Sequence, residues 1–327
     1  MVGILDPLNI RGLTLRNRFV MPPMHTGLAT NNGAVTDSLI EHYVQRSEAL
    51  GLVIVEHSYV TIEGRLSQNQ LGIYDDSLVL GLKELAHSIH KKGASVIIQI
   101  NHAGKSANAE ITGTQPVAPS PFGDSRQLEV KEIEAVTEAF ALAAERAVKA
   151  DFDGVELHSC HGYLLNQFFS PLANRRTDNY GGSLENRMRF PLEVVGRVRE
   201  KLGGKILSYR LGAVDLDPAG VDIEDSKKFA VKMEEVGVDV IHVSGGFCGS
   251  SPESLQTGQG YFIPYAHKIK KVVKIPIIGV GGITDPEYAD KIIKEGKVDL
   301  VAVGRALLND LNWAKKAVKK LKLAKRK

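Results

Sequence analysis

Along this chain, short aliphatic runs alternate with stretches whose apolar positions return with a helical period. The runs predict strands at Phe19–Met21, Leu52–Glu56, Ser95–Ile100, Gly154–His158, Ile206–Leu211, Val240–Val243, Pro276–Val280 and Leu300–Val303. The periodic stretches predict helices at Asp37–Leu50, Leu78–Lys92, Val130–Ala150, Leu184–Leu202, Ile223–Val236, Tyr261–Val273, Pro286–Glu295 and Ala306–Lys320. Several helix starts carry caps, among them Thr36 or Asp37, and Asp285 ahead of Pro286. Near-continuous apolar strands separated by helices imply a parallel sheet covered by helices. Eight such units favour closure into an α/β barrel, (β/α)8 of the TIM type, over an open doubly wound sheet.

Two connections are longer than this plan needs. Asn101–Glu129 and Ser159–Ser183 follow the third and fourth strands. Both fall on the C-terminal face of a barrel, where long loops carry function. No Pro/Gly/Ser-rich linker divides the chain, so residues 1–327 read as one domain with a basic tail over about 315–327.

Composition narrows the function classes. The net charge is +3, but Lys315–Lys327 holds eight positive and no negative residues, so the remainder is near −5 (3 − 8). The body is not a basic nucleic-acid binder, and the tail reads as a solvated last helical turn. Cys160 and Cys248 are the only cysteines, which argues against a disulfide scaffold, an iron–sulfur cluster or a structural zinc site. No 18-residue apolar run and no signal-like N-terminus occur, so the expectation is a cytoplasmic protein without a membrane partner.

Candidate chemistry sits at the strand ends: Pro22-Pro23-Met24-His25, Glu56-His57, Gln99 to His102, His158 to His161, Arg210, Ser244-Gly245-Gly246, Gly281-Gly282 and Gly304-Arg305. The last two match a barrel phosphate site, where glycines bring backbone N–H groups close and Arg305 adds a forked charge. His158-x-x-His161-Gly162-Tyr163 puts two imidazoles and a phenol on one loop. Two histidines three apart are compatible with zinc. No third ligand of the usual kind stands nearby, and the tyrosine suggests acid–base work, so no metal is expected. Lys105 lies beyond the third strand and no lysine ends strands five to seven, which ranks Schiff-base chemistry low.

These residues resemble the old yellow enzyme family of NADH:flavin oxidoreductases over nearly the whole chain. Leu13 to Arg18 with Val20 to Met24 looks like that family's first strand, and Gln99 with His102-Ala103-Gly104 like its third. His158 to Leu165, Ser170-Pro171, Asn174 to Asp178 and Tyr180 to Arg187 form the most specific match. The resemblance implies FMN contacts from Pro22, Pro23, Met24, His25, His57 and Gln99, with Arg210 beside the N1–C2 edge. Gly281, Gly282, Gly304 and Arg305 would hold the phosphate. It further implies an ene-reductase that takes electrons from NADPH or NADH. His158 and His161 would bind the oxygen of an enone, enal or enoate, hydride would leave flavin N5, and Tyr163 would give the proton.

Short bacterial members carry cysteine and tyrosine where this chain has His25 and Gly27. Met24 to Leu28 is instead similar to the barrel domain of 2,4-dienoyl-CoA and enoate reductases. Their iron–sulfur cysteine cluster and second flavin domain are not part of this sequence. The C-terminal arginine that reaches a neighbouring subunit in some short members is also missing, which leaves a homo-oligomer open. Alternatives are an FMN barrel fed by an electron-donor protein, an amine dehydrogenase on the same barrel, and a non-catalytic flavin binder. The His158/His161 pair favours a carbonyl oxygen over an amine.

Overall fold

Each strand alternates its side chains between two separate apolar environments, and that alternation builds the architecture. The computed structural model describes residues 2–255 and 258–324. Its eight parallel strands are β1 (Phe19–Met21), β2 (Leu52–Tyr59), β3 (Ser95–Asn101), β4 (Gly154–Ser159), β5 (Ile206–Gly212), β6 (Val240–Ser244), β7 (Ile277–Gly279) and β8 (Leu300–Ala302). They pair in chain order, and β8 returns to β1 through Val301–Phe19 and Ala302–Val20, closing the barrel. Outside lie α1 (Asp37–Ser47), α2 (Val79–His90), α3 (Val130–Lys149), α4 (Leu184–Leu202), α5 (Ile223–Val236), α6 (Ile263–Lys270), α7 (Pro286–Lys294) and α8 (Trp313–Ala324). The expected (β/α)8 barrel is therefore the fold.

Phe19, Val53, Val55, Val96, Ile98, Val155, Leu157, Leu207, Ile241 and Val301 point outward under the helices. Val20, Leu52, Ile54, Ile97, Ile206, Val240, Ile278 and Leu300, of the opposite parity, form the barrel's inner cluster. That inner cluster is completed by a feature the strand pattern did not separate. Leu8–Ile10 and Leu13–Leu15 form an antiparallel hairpin, Ile10 opposite Leu13, across Arg11 and Gly12 with φ of 49° and 84°. Two successive positive φ values make the tight turn that suits a twisted hairpin. Ile10 and Leu15 pack into the inner cluster and plug its N-terminal end. Leu13–Leu15 is thus not part of the first barrel strand; Asn17, whose Oδ1 accepts the Phe19 N–H at 3.0 Å, marks the break.

Two other boundaries differ. β2 runs on to Tyr59 with a register shift between Val55 and Ser58, a bulge that re-aims Glu56 and His57. The last expected helix is two, Arg305–Asn309 and α8, because Asp310 is extended and accepts the Asn312 N–H at 3.0 Å as a new start. Within α8, Lys315 pairs with Glu48 and Lys316 with Asp310, which fits a solvated tail. Lys325, Arg326 and Lys327 lie outside the described residues.

The long loops are tied together. Arg176 is 4% exposed and donates to Pro119 O (2.9 Å) and Leu128 O (2.7 Å), pinning the loop after β4 to the loop after β3. Asn174 Nδ2 bridges Phe168 O and Tyr180 O, and Arg187 donates to Phe169 O and Gly182 O. The Asn174 to Arg187 stretch holds the loops in shape. Among the described residues no helix is long and apolar enough to cross a membrane.

Candidate active site

Going up the barrel, the inward positions change from apolar to polar within two residues. Ile97 gives way to Gln99, Gly154 to Glu156 and His158, Ile206 to Ser208 and Arg210, and Val240 to His242 and Ser244. Above this polar band opens a pocket lined by Pro22, Pro23, Met24, His25, His57, Gln99, His158, His161, Tyr163, Arg210, Gly282, Gly304 and Arg305. All the residues to which the family resemblance gives a role line it except Gly281. Ser244, Ser250, Ser251 and Tyr261 line it too and had no assigned role.

His158, the residue before the end of β4, faces inward, opposite Arg210 in the register of β4 and β5. The chain then turns through His161 (φ 57°) and Gly162 (φ 75°). A histidine in the left-handed region costs about 1 kcal/mol, and buried partners hold it there: Gly162 N–H donates to Asn166 Oδ1 at 2.9 Å, and Gln167 Nε2 to Gly162 O at 2.7 Å. The turn brings the three rings together. The His158 centroid lies 4.7 Å from Tyr163 and 5.4 Å from His161, both nearly perpendicular. His161 Nε2 sits 2.8 Å from Ser244 Oγ, while both His158 nitrogens are buried without a partner.

Burial, reinforced by neighbouring imidazoles and Arg210, pushes both His158 and His161 well below the ordinary histidine range, so both rings are neutral at pH 7. Burial raises the Tyr163 phenol above its ordinary value, so it keeps its proton. Cys160 Sγ lies within 4.8 Å of ligand atoms of both histidines, a third ligand type that the sequence pattern did not place there. Burial drives that thiol up to about 12, so without an ion it is a neutral thiol at pH 7.

On the β1 and β2 side, His25 Nδ1 lies 3.0 Å from buried Glu56 Oε2 and its Nε2 lies 3.0 Å from Ser67 Oγ. The Glu56 carboxylate also accepts Thr26 N–H (2.9 Å) and Thr26 Oγ1 (2.6 Å). His57 stacks on His25 at 5.1 Å, and Gln70 Nε2 lies 2.8 Å from its Nδ1. Burial, then the charges of His25 and Arg210 against that of Glu56, takes His57 down to about 4. Gln70 therefore donates to Nδ1, which leaves the His57 Nε2–H as the free donor.

The β7 and β8 ends make a different surface. Gly281 and Gly282 have φ of 132° and 63°, and a Cβ on Gly282 would stand 3.0 Å from the Tyr261 ring and 3.1 Å from Arg305 Nη2. Only glycine suits this close approach. Arg305 is exposed, donates to Tyr261 Oη at 3.1 Å, and makes no ion pair with a described residue. Arg210, 6% exposed, likewise makes no ion pair with a described residue, and its Nε is buried and unpaired. Two cations without carboxylates at one pocket suit an anionic ligand.

The chain is similar over its length to several known proteins. The chain is 47% identical over 321 residues to an NADH oxidase of Thermoanaerobacter brockii, covering 94% of this chain and 49% of that protein. It is 40% identical over 326 residues to an NADPH dehydrogenase of Geobacillus thermodenitrificans, covering 97% and 94%. A solved 2-naphthoyl-CoA reductase in complex with 2-naphthoyl-CoA superposes with a TM-score of 0.92 at 28% identity, over 97% of this chain and 52% of that one. The chain thus spans about half the length of the first and third of these proteins and nearly all of the second. The profile of the NADH:flavin oxidoreductase / NADH oxidase family matches residues 3–324, and the chain belongs to that family.

Proposed function

We propose that residues 1–327 form an FMN-binding barrel that acts as an NAD(P)H-dependent ene-reductase on α,β-unsaturated carbonyl compounds. One observation carries this reading: Gln99 Oε1, Arg210 Nε and both His158 nitrogens are buried and unpaired around a single pocket that also holds Tyr163 and the Gly282–Arg305 cradle. A buried polar atom without a partner costs about 1–3 kcal/mol, so their concentration here marks a ligand that would satisfy them.

FMN fits this donor and acceptor set. Gln99 and Arg210 would meet the polar edge of its ring, Pro22, Pro23, Met24, His25 and His57 would flank it, and the Gly281 to Arg305 side would take its phosphate. When bound, FMN would supply hydride transfer between NAD(P)H and substrate. The remaining work falls to side chains. Neutral His158 and His161 offer N–H donors to a substrate carbonyl oxygen, and hydrogen bonding there draws electron density from the β-carbon. With Ser244 donating to His161 Nε2, the Nδ1–H of that ring would be left for the substrate. Tyr163, kept protonated by burial, gives its proton to the α-carbon.

The half-length match to the NADH oxidase supports a second reading, in which electrons reach this barrel from another protein or segment. Purified protein examined for a flavin spectrum, then bleached anaerobically with NADH or NADPH and recoloured with 2-cyclohexenone, separates the two. A chain that cannot be loaded with FMN defeats both readings. A yellow chain bleached only after an added reductase supports the second.

A further inference from the structure

Beneath the pocket a carboxylate sits where a barrel interior normally holds none. Glu156 is fully buried on β4, in register with Gln99 of β3 on one side and Ser208 of β5 on the other. Its Oε1 accepts Gln99 Nε2 at 2.9 Å, and its Oε2 accepts Ser208 Oγ at 3.0 Å and faces His242 Nδ1 at 3.0 Å. All four side chains are 0% exposed. Burial opposes ionisation of Glu156, but His242, Arg210 and the Ser208 hydroxyl outweigh it and hold the carboxyl below its ordinary value. Burial lowers His242 against the pull of Glu156, and in either protonation state its Nδ1–H can donate to the carboxylate.

An ionised carboxylate only accepts hydrogen bonds. The Gln99 amide must therefore turn its NH2 toward Glu156, which sends Oε1 away from it, buried and without a protein partner, on the pocket wall. Flipped, the amide would set its oxygen against a carboxylate oxygen. Arg210 stands two residues beyond Ser208, the register partner of Glu156, and so on the same inward face of β5. The carboxylate's buried charge acts on it, and it makes no ion pair of its own among the described residues.

We propose that Glu156 is a positioning residue of the flavin site: its buried charge fixes the Gln99 amide with the oxygen toward the pocket and limits the positive charge that Arg210 presents there. This rests on the FMN reading above. It makes two separable contributions, one to affinity through orientation and one to potential through charge.

The test measures FMN affinity and the midpoint potential of bound FMN. Glu156→Gln should weaken oxidised FMN by about tenfold, since Gln99 is free to flip. It should also raise the potential, because Arg210 then favours the anionic reduced form; a tenfold change in relative affinity is about 30 mV for a two-electron couple. Glu156→Asp keeps the charge but withdraws the oxygens, so affinity should fall with the potential near the wild-type value. Adding Glu156→Gln to Gln99→Leu should bring no further loss of affinity and should still raise the potential.

Wild-type affinity and potential in Glu156→Gln overturn the inference, as do equal potential shifts in the Gln and Asp variants, which only a general loosening of the site would give. If Glu156→Gln does not fold, Glu156→Asp decides: lower affinity at unchanged potential supports the inference, and unchanged affinity overturns it. A wild-type chain that takes up no FMN defeats the flavin reading itself and this inference with it.

Discussion

The two ends of the barrel are made by the same strands and do opposite things. At the N-terminal end Ile97, Ile206, Val240, Ile278 and Leu300 meet Ile10 and Leu15 of the hairpin, all within 4% exposure. One or two inward positions higher, the same strands present Gln99, Arg210, Ser244, Gly282 and Gly304 to an open pocket. The lower end gains stability from apolar burial at roughly 25 cal/mol per Å². The upper end gives some back by holding polar atoms out of water without partners. A barrel tolerates this because the parity of each strand is common to both ends while the residue types change along it.

That contrast can be broken most severely at the top. Tyr163→Phe should slow enone-driven reoxidation by about 10²- to 10⁴-fold with little change in thermal stability, read by stopped-flow and calorimetry. Equal loss in reduction and reoxidation would reject it as the proton donor. Leu15→Ala addresses the other end: a cost of about 2–5 kcal/mol in urea unfolding, with turnover per folded molecule unchanged. Lost turnover there would mean that the plug also shapes the pocket.

Acid should distinguish the ends next. Burial holds His57 and His102 at about 4, below the unfolded value near 6.5. Below pH 6.5 the unfolded chain binds protons that the folded one does not, so stability falls from pH 6.5 to 4 by roughly 3 kcal/mol per histidine. Urea midpoints at pH 7.5, 6 and 5 would show it, and Leu15→Ala should add the same increment at each pH. Arg305→Met should weaken FMN by about ten- to a hundredfold, the worth of a charged hydrogen bond, measured by fluorescence titration. The smallest effect is Ser244→Ala, which releases His161: about 1 kcal/mol, seen as a several-fold lower kcat/KM for enone with FMN affinity unchanged.

Much of this was visible before folding. Eight strands and eight helical stretches follow from local periodicity, and the Gly281-Gly282 and Gly304-Arg305 ends from glycine and charge at strand exits. The strand pattern does not separate the hairpin because Leu13–Leu15 and Phe19–Met21 share the same β-forming character. The Arg11-Gly12 turn pairs Leu13–Leu15 with Leu8–Ile10, and Asn17 breaks it from Phe19–Met21. Ser67 and Gln70, which orient His25 and His57, lie on a loop with no periodic signal.

Glu156 shows where the division falls. Its inward direction was already legible, two residues before His158 on a strand with period two. Its partners were not. Gln99, Ser208 and His242 are 57, 52 and 86 residues away, and closure of the barrel alone sets which inward residues share a level. The sequence by itself determined the elements, their inward and outward faces and the chemistry available at each strand end, because these depend on neighbours along the chain. The tertiary structure decided which polar atoms are satisfied and which are left facing the pocket. That depends on strand register and desolvation, which exist only once distant segments are packed together.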